Sequence, residues 1–330
     1  MNTAEQVNAD QLAFWNGPGG RTWVERQAHT DITLTRVSEA LLALAAPRAG
    51  ERVLDVGCGC GATTLDVARA VGPSGHVVAM DISAPMLDEG RRRAAAAGLA
   101  NVDWQQADPA TAELDGFDLL VSAFGLMFFG DPVAAFANMR RAANPGARMA
   151  FVSWRALAEN PWIGVPMRAA AAHLPPRPRP NPHAPGMFAF ADPQRVAEIL
   201  AAAGWTPPRL EKLDLELDIA AGRGLDEAVV QSTRIGAVNS WLRNQPADIV
   251  AAATDSIRAA LAPYRDGASA NERASSANAA AKPRPGAGRL PHGARPVRVR
   301  RSRRAGRGRP GEPRRSSRIE GQLTRCIRAL

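Results

Sequence analysis

Val53-Leu54-Asp55-Val56-Gly57-Cys58-Gly59-Cys60-Gly61-Ala62-Thr63-Thr64 decides how this chain is read. An apolar strand runs into a glycine-rich turn that opens a helix. Glycines permit dihedrals and close backbone approaches that a Cβ blocks, and the first turn of the following helix offers unpaired N–H groups. A nucleotide-like ligand docks at such a turn. The same letters satisfy G-x-G-x-x-A, so a nicotinamide-dependent oxidoreductase stands as one alternative.

Outward from this turn the period of the apolar residues alternates between strand and helix. Strands are predicted at Val53–Val56, His76–Met80, Val102–Gln106, Phe117–Val121 and Met149–Trp154. Helices are predicted at Ala62–Val71, Pro85–Ala97 and Asp131–Ala143. Strands alternating with helices imply an α/β protein with a doubly wound, mostly parallel sheet. Ala191–Ala203 reads as a helix ended by Gly204, and Leu210–Ile219 as a strand with one wetted face. Further helices follow at Leu225–Leu242 and Ala247–Leu261.

Three carboxylates sit at the ends of the first three strands. Asp55, two residues before the first glycine, repels a pyrophosphate and suits a cationic amino group. Asp81 follows Gly61 by twenty residues, the spacing at which an acidic side chain reaches ribose hydroxyls. As the better N-cap, with Pro85 in the first turn, Ser83 leaves Asp81 free for that role. Asp108, in Gln105-Gln106-Ala107-Asp108, is placed to accept from an adenine amino group, although Asp-Pro also initiates turns.

Four motifs in order, VLDVGCGCG, VVAMDIS, QQAD and FDLLVSAFGLMFF, resemble the class I S-adenosylmethionine-dependent methyltransferases. The likeness is to the small-molecule branch that includes ubiquinone/menaquinone-biosynthesis-type enzymes, and covers roughly Phe14 to Leu261. It implies a Rossmann-like fold with S-adenosylmethionine as cofactor. By this resemblance Gly57, Gly59 and Gly61 face the cofactor and Asp55 meets its methionine amino group. Asp81 binds the ribose with Ile82 beside it, Ala107 and Asp108 hold the adenine, and Ser122 lies by the methionine portion. The implied activity is in-line methyl transfer to a small molecule, in which positioning suffices and no catalytic base is assigned.

The flanks are less regular. Residues 1–47 read as an N-terminal helical lid broken by a turn or loop at Asn16-Gly17-Pro18-Gly19-Gly20. Phe14, Trp15 and Trp23 either cover the cofactor or anchor these helices. The Phe124–Phe129 run reads first as core and second as a pocket wall. The methyltransferase domain spans 48–263, with a Pro-rich surface excursion at about 155–190, in which Pro161–Pro185 is expected to be irregular. His173 and His183 flank its proline run and are assigned no task.

Net charge is +9, but Ala268–Leu330 alone carries seventeen Lys or Arg against three Asp or Glu, a local +14 that leaves the other 267 residues at −5. A nucleic-acid partner is therefore expected only through this basic tail. Residues 264–330, rich in Ala, Arg, Pro and Gly, are expected to be disordered. The apolar strand that related chains carry after the position of Tyr264 is expected to be absent, leaving Leu210–Ile219 as an open edge. The stretch reads as an out-of-frame translation of a GC-rich gene. Arg318-Ile319-Glu320-Gly321-Gln322-Leu323 also resembles the opening helix of copper-sensing or formaldehyde-sensing repressors. Three cysteines cannot form a disulfide framework, Cys58 and Cys60 alone cannot complete a zinc site, and no apolar run has signal-peptide or membrane-spanning length. A cytoplasmic protein without bound metal is expected.

Overall fold

Three helices precede the sheet in the computed structural model, which describes residues 4–177, 181–234, 236–264 and 318–329. They are α1 (Ala4–Asn16), α2 (Pro18–Glu25) and α3 (Gln27–Ala45). The Gly-Pro-Gly-Gly stretch is not the loop expected from its composition. Only Gly17 turns; Pro18 takes the first helical position, where its missing N–H costs nothing, and Gly19 and Gly20 continue the helix. Gly20 is buried where a Cβ would stand 2.8 Å from the Ser83 hydroxyl, so its lack of a side chain permits α2 to lie against the sheet side of the molecule.

β1 (Arg52–Val56) is buried from Val53 onward, as a central strand of a parallel sheet must be. α4 (Ala62–Val71), β2 (His76–Asp81), α5 (Ala84–Ala96) and β3 (Val102–Gln106) follow. Next come β4 (Phe117–Ala123), α6 (Pro132–Ala142) and β5 (Ala143–Trp154). All five strands run parallel, and their order, β3-β2-β1-β4-β5, reverses its direction of growth between β1 and β4. Such a switch point opens a crevice at the carboxyl ends of the strands.

The segment expected to be an irregular excursion begins instead with α7 (Pro161–Ala171), whose Ile163, Pro166 and Ala170 are buried. Pro161 sits in its first turn, and packing against α11 outweighs the poor helix propensity of Pro166. After α8 (Pro193–Ala202) comes β6 (Arg209–Asp218). The single helix expected over Leu225–Leu242 is two, α9 (Leu225–Arg234) and α10 (Gly236–Leu242), where Gly236 adopts φ 69°. α11 (Ala247–Leu261) closes this part of the chain.

The final antiparallel strand is present. β7 (Arg318–Ala329) inserts between β5 and β6 and pairs antiparallel with both. β6 is thus paired along its length although it remains the last strand of the sheet, and β7 corrects the absence of a final strand, the disorder expected over those residues and the helix suggested by their likeness to repressors. Ile319, Leu323 and Ile327 recur every four residues, a spacing that strand and helix periods both accommodate. The edges of β5 and β6 settle the choice. The out-of-frame reading loses the missing strand as its support; otherwise it falls on 265–317, outside the described residues, as do most of the basic tail and Pro178–Pro180. Among the described residues no helix is long and apolar enough to cross a membrane.

Candidate active site

The site grows from the junction of β1 and α4. Gly57 has φ 67°, and a Cβ there would stand 2.6 Å from the Cα of Gly125 in the loop after β4. Gly61, with φ 81°, faces the ring of Trp104 on β3, 2.5 Å from where its Cβ would lie. Gly61 thus packs the turn onto the sheet. The N–H groups of Gly57 and Cys58 both donate to the Met80 carbonyl, at 2.8 and 3.2 Å, and tie the turn to β2.

Asp81 is a bridge between two loops. One carboxylate oxygen accepts from the Gly59 N–H at 2.8 Å, the other from the Ser83 N–H at 2.9 Å. Burial raises its pKa, and the N–H groups of Ser83, Gly59 and Ile82 pull against that shift. Ser83 occupies the N-cap position of α5 but does not cap it. Its hydroxyl donates to the Trp15 carbonyl at 2.7 Å, while the Asn16 side-chain oxygen accepts from the Ala84 N–H at 2.9 Å. The end of α1 supplies the missing cap, which corrects the expected division of labour between Ser83 and Asp81. Asn16 also donates to the Ile82 carbonyl at 2.9 Å.

Asp108 makes the turn bond that Asp-Pro suggests, accepting from the Ala110 N–H at 2.9 Å, and its other oxygen accepts from Asn8 on α1 at 3.2 Å. Asp55 is fully buried. One oxygen accepts from the Thr64 hydroxyl at 2.6 Å and the other has no partner. Burial pushes its carboxyl up to about 7, against the pull of Thr64 and with a further push from Asp81. Ser122 is also fully buried, donating to the Val56 carbonyl at 2.7 Å and accepting from the Gly125 N–H at 3.2 Å.

Two cavities meet here. The smaller, about 140 Å³, lies at the carboxyl ends of β1, β2 and β4 and is lined by Gly57, Asp81, Ile82 and Asp108 among the residues singled out from the sequence. Asp55, Gly59, Gly61, Ala107 and Ser122 do not line it. Asn8, Gln11 and Trp15 of α1 complete its wall, and no Lys, Arg or His is among its described lining residues. The larger cavity, about 480 Å³, shares Trp15, Trp23, Phe124 and Phe128 with the smaller one. Of the run first read as core, Leu126 is core, Met127 is buried but borders the larger cavity, Phe129 borders the smaller, and Phe124 and Phe128 wall both. Phe124 holds a left-handed φ of 68° and stacks on Trp154 at 4.6 Å, a strained backbone maintained by its surroundings.

Charge at the rim of the larger cavity was not singled out in the sequence. Arg26, between α2 and α3, donates to Glu227 at 2.7 Å and to Gln231 at 2.8 Å. His29, buried beside them, pairs its Nε2 with the Ile219 carbonyl at 2.9 Å and meets the Arg223 guanidinium through Nδ1. Burial lowers its pKa, helped by Arg223 and Arg26 against the Ile219 carbonyl and Glu227. His173 lines neither cavity and bonds the Ser256 hydroxyl at 2.7 Å.

A family model described as a methyltransferase domain matches residues 53–146. The chain is 33% identical over 199 residues to nocamycin O-methyltransferase of Saccharothrix syringae, covering 57% of this chain and 71% of that protein. It is 36% identical over 121 residues to aklanonic acid methyltransferase DauC of Streptomyces sp. (strain C5), covering 36% of this chain and 55% of that one. It is also 39% identical over 109 residues to the ubiquinone/menaquinone biosynthesis C-methyltransferase UbiE of Saccharophagus degradans, over 32% of this chain and 44% of that one. The chain thus spans about half the length of two of these relatives and most of the third. It belongs to the class I S-adenosylmethionine-dependent methyltransferases.

Proposed function

We propose that this chain transfers a methyl group from S-adenosylmethionine to a small, largely apolar acceptor, with cofactor in the smaller cavity and acceptor in the larger. The carrying observation is the pairing of the two: a wall with two carboxylates and no cation meets an aromatic-lined cavity across four shared rings. The carboxylates of Asp81 and Asp108 retain acceptor lone pairs for the hydroxyl and amino donors of a nucleoside. Gly57 lines the same wall at the end of β1. These groups fit a cationic adenosyl ligand.

When bound, the sulfonium supplies an already activated methyl group. What remains for the protein is alignment and exclusion of water. Trp15, Trp23, Phe124 and Phe128 stand between the two cavities, so an acceptor atom presented among them is held in line and desolvated. The nicotinamide alternative suits this site poorly, because a pyrophosphate would face Asp81 and Asp108 with no cation beside it. A cytoplasmic setting accords with the buried free thiols of Cys58 and Cys60.

Calorimetric titration of the full chain with S-adenosylmethionine, S-adenosylhomocysteine and NADH tests this reading. Both adenosyl ligands should bind and NADH should not. Asp81→Asn should weaken both by roughly tenfold or more, the loss of one charge-assisted hydrogen bond. Binding of NADH in their place would overturn the assignment.

A further inference from the structure

The two cavities are opposite in charge. Among its described lining residues the larger one has no Asp or Glu, but it has three arginines, Arg26, Arg234 and Arg243. Arg26 is answered by Glu227. Arg234 and Arg243 have no ion-pair partner among the described residues, lie at either end of the α10 segment, and line only the larger cavity. Asn239 and Ser240, between them in sequence, add neutral polar groups to the same wall. Two exposed guanidiniums without an ion-pair partner among the described residues, at the mouth of an apolar cavity, favour an anion whose body is buried and whose charge stays at the rim.

Resting on the methyl-transfer reading, we propose that the acceptor is an amphipathic anion: an apolar, ring-bearing body carrying a carboxylate, sulfonate or similarly acidic group that Arg234 and Arg243 bind. The anion is an anchor and not the group methylated, because the arginines line only the larger cavity while the wall shared with the cofactor's cavity is aromatic rings. The apolar, ring-bearing body follows from the wall. Trp15, Trp23, Phe124, Phe128, Trp154 and Trp162 all line the larger cavity, a wall of aromatic rings.

Two fluorescent probes separate charge from shape: anilinonaphthalene sulfonate, and phenylnaphthylamine, the same ring body without its sulfonate. The full chain should bind the sulfonate roughly five- to tenfold more tightly than the neutral probe. Arg234→Gln and Arg243→Gln should each erode that preference, the double variant should abolish it, and the neutral probe's affinity should stay unchanged in all three. S-adenosylhomocysteine affinity should be unaffected in these variants, since neither arginine lines the smaller cavity. Equal binding of the two probes by the unaltered chain, or a sulfonate preference that survives the double substitution, would overturn the proposal. If neither probe binds while S-adenosylhomocysteine does, the anionic acceptor site is wrong and the methyltransferase reading stands. Failure to bind S-adenosylhomocysteine strikes that reading instead.

Discussion

Gly57 and Gly125, sixty-eight residues apart in sequence, face each other so closely that a Cβ on Gly57 would meet the Gly125 Cα at 2.6 Å, and a Cβ on Gly125 would meet the Val56 carbonyl oxygen at the same distance. The contact brings the end of β1 against the loop after β4, where the parallel sheet switches direction. Gly57→Ala combines this clash with a left-handed φ, which alone costs about 1–2 kcal/mol for a residue with a Cβ. We expect a loss of stability at least that large, with S-adenosylhomocysteine binding weakened as the switch-point crevice is wedged open. Gly125→Ala should act through the same contact. In a double-mutant cycle monitored by chemical denaturation, the second substitution should cost less than the first by about 0.5–3 kcal/mol. Strict additivity would mean that the two glycines do not share one approach.

The first member of that pair was legible in the sequence and the second was not. Gly57 stands in a run where strand, turn and helix follow one another within twelve residues, so local period and glycine spacing suffice to place β1 and α4. Gly125 lies inside FGLMFF, where its neighbours invite a core reading, and its role exists only because β4 lies beside β1. The same divide runs through the rest of the site. Asp81 was singled out by its distance from Gly61, but its bonds to Gly59 and Ser83 required the register of the sheet. Phe124 and Phe128 point to a cavity only once the N-terminal helices cover them. Arg234, Arg243 and His29 carried no local signal, since single charges on helices are most often solvated. α7 was hidden by prolines whose cost is offset by packing on a distant helix.

Asn16 ties the N-terminal helices to the loop after β2. Its side chain accepts from the Ala84 N–H and donates to the Ile82 carbonyl, so α1 ends on the loop that carries Asp81. Asn16→Ala removes both bonds and the cap of α5, for which losses of about 0.5–2 kcal/mol are usual. Global stability should fall by that amount. Amides of α1 and α2 should exchange hydrogen markedly faster, and binding at both cavities should weaken, because Trp15 and Trp23 wall each of them. If α1 exchange is unchanged, α1 is held by its aromatic packing and not by this residue.

β7 makes a prediction of its own. Its backbone lies between β5 and β6 in a continuous antiparallel register, from Arg148 opposite Ala329 to Trp154 opposite Leu323, and from Arg209 opposite Ile327 to Asp218 opposite Arg318. Hydrogen exchange of the full chain should find the Arg318–Ala329 amides protected together with those of β6. Removing residues 318–330 should expose two strand edges and promote self-association, read by light scattering. Exchange of these amides at the rate of an unpaired peptide would leave β6 unpaired, the open edge first expected from the sequence.

Asp55 makes stability depend on pH in an unusual direction. Burial lifts its carboxyl from the ordinary 3.8 to about 7 in the folded protein, so folding favours the protonated form. Its contribution is fully present below the unfolded pKa, near 4, and is lost as pH rises through the folded value. A shift of this size corresponds to something on the order of 4 kcal/mol between the two limits. Most salt-bridged carboxylates act oppositely, gaining stability over the same window. Asp55→Asn keeps an oxygen for the Thr64 hydroxyl and removes the charge. Thermal melts from pH 4.5 to 8.5 should show the unaltered chain losing stability across the window, while the variant loses much less and is the more stable of the two above pH 7. A residual slope should remain in the variant from Asp81, whose pKa burial also raises. Parallel curves for the two proteins would mean that Asp55 is ionised throughout, with a cation or water held against its second oxygen.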